Sequence, residues 1–247
     1  MKIAELLVRV HNLYPHSLKT EEMVDFCNEV GAMLRNKYVE EFETVTLRYG
    51  DLLPQGVTKA DIVRCSVDGA IIDRDDLIES GYITYPESRR LIKDVPEHGG
   101  AVEVTFRKPY EPVRYVKFKD NITLIDGGFK ITELADIRVG DILLVNKGQF
   151  NVTGIEIEEK SLNIYGDEPV MEGEAEIERM IDDLTVVDAP YDRIYTEFLL
   201  ARAARFKKDY EAENRAMENY KVLLEDLERH LVRNGKRPRQ QRFFNFW

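Results

Sequence analysis

The chain has 247 residues, enough for one large domain or two small ones. With 43 % hydrophobic and 33 % charged residues it can bury a core, which excludes wholesale disorder. Lys and Arg number 35 against 46 Asp and Glu, a formal charge of −11, and an acidic surface of that size excludes a general binder of polyphosphate backbones.

The first segment is helical by period. Ile3, Leu6, Leu7, Val10 and Tyr14 recur at three- and four-residue steps until Pro15 stops the run. Charged residues interrupt this start every few positions, so it lacks the apolar core of a signal peptide. No window approaches 18 apolar residues either. A second helix is expected from Thr20, an N-cap residue followed by Glu21 and Glu22, with an apolar stripe of Met23, Phe26, Cys27, Val30, Met33, Leu34 and Tyr38. From about Glu43 the period falls to two. Ile62 to Val67, then Asp68-Gly69, then Ala70 to Ile72 is a hairpin pattern, with Leu53 to Gly56 as a loop before it. Cys27 on the helical stripe and Cys65 in the strand-like run are expected as buried thiols of a chain made in a reducing cytosol.

Gly99-Gly100 opens a stretch that reads as strand almost throughout to Tyr165, with turns at Asp126-Gly127-Gly128, Gly140-Asp141 and Lys147-Gly148. Six or seven short strands at this spacing predict a small barrel or sandwich. After Pro169 a weak helical period with many acids covers Glu174 to Asp183. Pro190-Tyr191-Asp192 then opens a strong helix to about Phe206. The last helix carries Tyr210, Met217, Tyr220, Leu224, Leu227 and Leu231 on one stripe, with Gly235 as its C′ residue. The expected fold class is α+β: a helical bundle built from both chain ends with an inserted small antiparallel β barrel or sandwich. Residues 1–98 would be the first helical part with its β hairpin, 99–166 the inserted module, and 167–247 the second helical part, ending in a basic-aromatic tail from 233. Phe26, Val30, Phe198, Leu224 and Leu227 would share one core.

The search for chemistry returns little. His11, His16, His98 and His230 stand at no metal-ligand spacing, and no phosphate-binding glycine loop or nucleophile elbow is present. No cofactor is therefore expected, and no catalytic or metal-binding residue. The acids of Asp73-Arg74-Asp75-Asp76 could suit a two-metal nuclease, but after a hairpin they read better as turn and helix-start residues. The tail stands out. Arg233, Lys236, Arg237, Arg239 and Arg242 precede Phe243-Phe244-Asn245-Phe246-Trp247, an apolar patch too large for so short a segment to cover. Partner binding is expected at Arg239, Arg242, Phe243, Phe244, Phe246 and Trp247. The rival readings are a tail folded back on its own domain and a nucleic-acid arm.

Two regions carry a resemblance. Val187-Asp188-Ala189-Pro190-Tyr191-Asp192-Arg193-Ile194-Tyr195, then Leu199 to Arg202, then Asp209-Tyr210-Glu211-Ala212-Glu213-Asn214 resemble the head–tail connector (adaptor) proteins of long-tailed bacteriophages and prophages. The Ile3 to Val10 and Thr20 to Tyr38 helices fit the same pattern, as do Val67-Asp68-Gly69 and Ile83-Thr84-Tyr85-Pro86. The resemblance covers roughly 1–98 and 167–247, and the order of the elements carries it; 100–166 departs from the short forms of the family. It implies a structural virion protein, not an enzyme: a homo-oligomeric ring, commonly of twelve, beneath the portal protein at the neck. Such a ring extends the DNA channel without binding DNA specifically, touches no membrane and docks the next neck or tail protein. Twelve such chains would carry a charge on the order of −100, and an acidic wall lets DNA slide. Rival functions are another tail-completion or baseplate protein, and an enzyme or small-molecule binding protein with its site in the β module.

Overall fold

The computed structural model describes residues 1–47, 53–54, 57, 61–67, 70–72, 101–166 and 170–235. The chain divides into two compact units, one of Met1–Gly31 with Pro112–Leu227 and one of Ala32–Glu111 with Glu228–Trp247. Among the described residues there are four helices, α1 (Ile3–Leu13), α2 (Thr20–Lys37), α3 (Arg193–Phe206) and α4 (Tyr210–Arg233). Ten strands accompany them, and all their pairings are antiparallel.

The first unit is organised by a closed barrel of β5 (Lys117–Ile125), β6 (Gly128–Ile131), β7 (Ile142–Val145), β8 (Gly148–Glu158), β9 (Ser161–Gly166) and β10 (Gly173–Arg179), in the order β10-β5-β6-β9-β8-β7. Ile122, Phe129, Ile131, Leu143, Phe150, Leu162, Ile164, Ala175 and Ile177 fill it. Phe129 and Phe150 meet edge-to-face at its centre, ring centroids 5.0 Å apart. β8 is long enough to pair with β7 at one end and β9 at the other, and a register shift between Val152 and Gly154 bends it. Asn146 and Lys147, both at positive φ, form the two-residue loop between β7 and β8, one position before the expected Lys147-Gly148 turn. Gly128 lets β6 and β9 come together, since a Cβ there would lie 2.0 Å from the Ile164 carbonyl oxygen.

In the same unit α1 buries Ile3, Leu6 and Val10 and packs against α3, which buries Ile194, Tyr195, Phe198, Leu199, Ala201, Ala203 and Ala204. Arg202 Nη2 of α3 donates to both carboxylate oxygens of Glu29 of α2, at 2.7 and 2.8 Å, while the guanidinium covers the Phe26 and Phe198 rings. Asn28 exchanges two hydrogen bonds with the backbone of Val113 just ahead of the barrel, at 2.9 and 2.7 Å. At the start of α2 the capping side chain is Glu22, which accepts from the Lys19 N–H at 2.8 Å, rather than the expected Thr20.

The second unit holds a four-stranded sheet, β1 (Phe42–Leu47), β2 (Ile62–Val67), β3 (Ala70–Ile72) and β4 (Val102–Arg107), in the order β1-β4-β2-β3. Val102, Val104 and Phe106 of β4 alternate with polar residues and join Leu47, Leu53, Val57, Ile62 and Cys65 in its core. β2 and β3 pair antiparallel, Val67 with Ala70, while the expected Asp68-Gly69 turn lies outside the described residues. Neither cysteine is in a disulfide and both are buried; burial pushes the Cys27 thiol up to about 12.

The helical bundle built from both chain ends is not the architecture. Helices and strands hold about equal shares of the described residues, which form four helices, a closed barrel and a further sheet instead of a bundle carrying one inserted module. Two features account for this. Glu174 to Arg179, expected as helix, is strand β10, whose buried Ala175, Ile177 and Arg179 alternate with exposed Glu174 and Glu176 and half-buried Glu178 and close the barrel. And α4 buries only Ala216 and Leu227 along 24 residues, with Leu224 half-buried, so it covers a surface rather than centring a bundle.

Candidate functional site

The residues expected to bind partners, Arg239, Arg242, Phe243, Phe244, Phe246 and Trp247, lie outside the described residues, as do Ile83 to Pro86 and the Asp73 to Asp76 acids. The described part of that end stops at Gly235, whose φ of +74° and N–H bond to the Val232 carbonyl terminate α4 as its C′ position predicts.

Of the segments that carry the resemblance, Ile3 to Val10 and 187–214 belong to the first unit, Thr20 to Tyr38 runs across the division at Gly31, and Val67 belongs to the second. Pro190-Tyr191-Asp192 forms the turn into α3, with Tyr191 and Asp192 N–H groups both donating to the Asp188 carbonyl. The chain start is stitched beside it. The Met1 ammonium donates to Thr185 Oγ1 at 3.1 Å and lies 3.9 Å from Asp192, the Ile3 N–H reaches the Asp183 carbonyl, and Lys2 bridges to Leu184. Between α3 and α4 the chain reverses at Lys208, at positive φ, and Asp209 caps α4 by accepting from the Ala212 N–H at 3.1 Å. That bond, with the Tyr14 hydroxyl 3.0 Å away, holds the Asp209 carboxyl below the usual carboxylate range. Lys207 stacks on the Tyr14 ring, so the end of α1 grips the α3–α4 turn from both sides. Phe198 and Tyr220 rings, 5.3 Å apart, close the hairpin.

Two histidines that the sequence left scattered come together. His11 and His16 meet edge-on at 5.2 Å in a groove of about 420 Å³ that also takes in Leu7, Val8, Leu18, Met23, Leu144 and Met180. Both ring nitrogens of His16 are buried with no hydrogen-bond partner, and burial, then the positive charge of His11 and Lys207, pulls its pKa down. The signal was the five-residue spacing across Pro15, which is not a ligand spacing on one helix. Among the described residues no three His, Cys, Asp or Glu side chains gather as a metal site.

At one end of the barrel Asp141, 5 % exposed, accepts from Arg114 at 2.6 and 3.1 Å, from Arg179 Nε at 2.9 Å and from the Arg138 N–H at 2.8 Å. Burial alone would raise the Asp141 carboxyl, but these donors outweigh it and hold it below its ordinary value. Arg179 continues to Asp183 at 3.0 Å and to the Arg114 carbonyl at 2.8 Å. Every charge in this network is answered by a neighbour, which makes it a brace between the strand ends rather than a place for substrate. The chain matches no model of a protein family, no curated protein and no solved structure.

Proposed function

We propose that the chain is a head–tail connector subunit of a tailed phage or prophage, a structural virion protein forming a ring of about twelve copies below the portal. The observation that carries this reading is the α3–α4 hairpin, opened at Pro190-Tyr191-Asp192, turned at Lys207 to Asp209 and gripped by α1. It joins the 187–214 part of the resemblance to the N-terminal helix within the first unit. The charge of −11 per chain is in keeping with an acidic channel through which DNA passes without being held. In this reading Arg239, Arg242, Phe243, Phe244, Phe246 and Trp247 dock on the portal or on a neighbouring copy, the aromatics contributing apolar area and the arginines forking onto carboxylates. The ring offers its other face to the next neck or tail protein.

The test is negative-stain microscopy of the chain mixed with assembled rings of the portal protein encoded beside it. Added density of portal-matched symmetry on one end of the portal is expected, and its loss when the chain is truncated after Gly235. Binding to isolated tails but not to portals would favour a tail-completion protein instead.

A further inference from the structure

A second cleft, of about 440 Å³, opens between α1, α3 and α4 within the first unit. Its charged lining is Arg9, Arg193 and Arg215 against a single carboxylate, Glu197, so it is a positive spot on a chain of net charge −11. Its polar groups are not used up by the fold. Arg9 and Arg193 are exposed and make no ion pair or hydrogen bond to other described residues; Arg215 is held by Glu211 at 2.9 Å. Thr196 is 3 % exposed, yet its hydroxyl has no partner. Glu197, 9 % exposed, accepts among the described residues only from Asn219, at 3.2 Å. The Arg9 and Arg193 guanidinium groups and the buried Thr196 hydroxyl are spare donors lining one cleft. A buried hydroxyl left unpaired is unfavourable, so an acceptor that reaches it recovers stability only when bound. Carboxylate oxygens suit both groups, since guanidinium forks match them and the threonine O–H can donate to one.

We infer that this cleft receives acidic side chains from a second copy of the same chain, and so forms one half of the contact between neighbours in a ring. The inference rests on the connector reading. A closed ring needs a head-to-tail contact in which each copy presents two different, complementary patches. The cleft supplies a positive patch, and with 46 acidic against 35 basic residues every other copy offers carboxylates in excess.

Sedimentation velocity of the full chain, from about 1 to 100 µM at low and high salt, tests it. The variant R9E/R193E is compared with K119E/K160E, which makes the same change in formal charge on exposed barrel positions. The expected result is salt-sensitive association of the wild type and of K119E/K160E, with a midpoint at least about tenfold higher in R9E/R193E and unchanged thermal melting. Equal weakening by both variants means bulk charge alone and overturns the inference. So does a wild type that stays monomeric throughout, and the portal experiment then still decides the connector reading by itself. Association abolished only by R9E/R193E, in a chain that ignores portals, upholds the cleft and overturns the connector.

Discussion

Removing the Asp141 carboxylate should be among the most damaging single changes in the barrel unit. Asp141→Ala leaves Arg179, whose side chain is 7 % exposed, and Arg114, at 18 %, facing each other without the anion that both now hold. Four hydrogen bonds end on that carboxylate, three of them from guanidinium groups, and a bond to a charged group contributes roughly 1.5–3 kcal/mol. Their sum is reduced by the desolvation that the folded state already carries, and breaking such a buried pair costs about 3–5 kcal/mol. For a unit of this size that corresponds to a fall in Tm of about 6–20 °C. The carboxyl is held below its unfolded value, so its contribution is present above the unfolded pKa and lost as pH falls through the folded one. The assay is urea unfolding followed by far-ultraviolet dichroism, at neutral pH and in steps down to the acid range. Asp141→Ala should be weaker at pH 7 and should lose less stability than the wild type on acidification. A loss below about 1 kcal/mol, or the same acid slope in both proteins, would refute the brace.

Other changes probe other parts of the molecule. Phe150→Ala empties the barrel centre against Phe129 and should cost about 3–5 kcal/mol in the same assay. Gly128→Ala drives a methyl into the Ile164 carbonyl and should lower the melting temperature by several degrees, whereas Gly127→Ala, with nothing near its Cβ, is strained only by its φ of +72° and should cost about 1 kcal/mol. Leu227→Ala should cost about 2–5 kcal/mol and Leu224→Ala clearly less, because only the former is fully buried; equal losses would show that α4 packs on its whole stripe. His16 resists protonation in the fold, so stability should fall as pH drops below about 6.5, and His16→Asn should flatten that slope.

Much of the local structure was legible because it depends on near neighbours in the chain. The stripes of α1 and α2, the pairing of β2 with β3, the turn residues between the barrel strands and the Gly235 stop are period and turn chemistry, complete within a dozen residues. What these elements close against was not. Gly173–Arg179 carries Glu at every second position, and acids spaced in this way fit a wet helix face as well as the outer face of a strand; β5 and β7, the neighbours that decide it, come from 117–125 and 142–145. Val102–Arg107 likewise reads as the first strand of the inserted module, yet its partners are β1 and β2, because a period of two specifies a buried face and not the strand beside it. The sites follow the same division. The aromatic tail stands out in the sequence alone, as a run of residues with nothing local to cover them. Arg9, Arg193 and Arg215, and the orphaned hydroxyl of Thr196, are ordinary helix-surface residues until three helices bring them to one cleft, since a concave surface is made by packing and has no pattern along the chain.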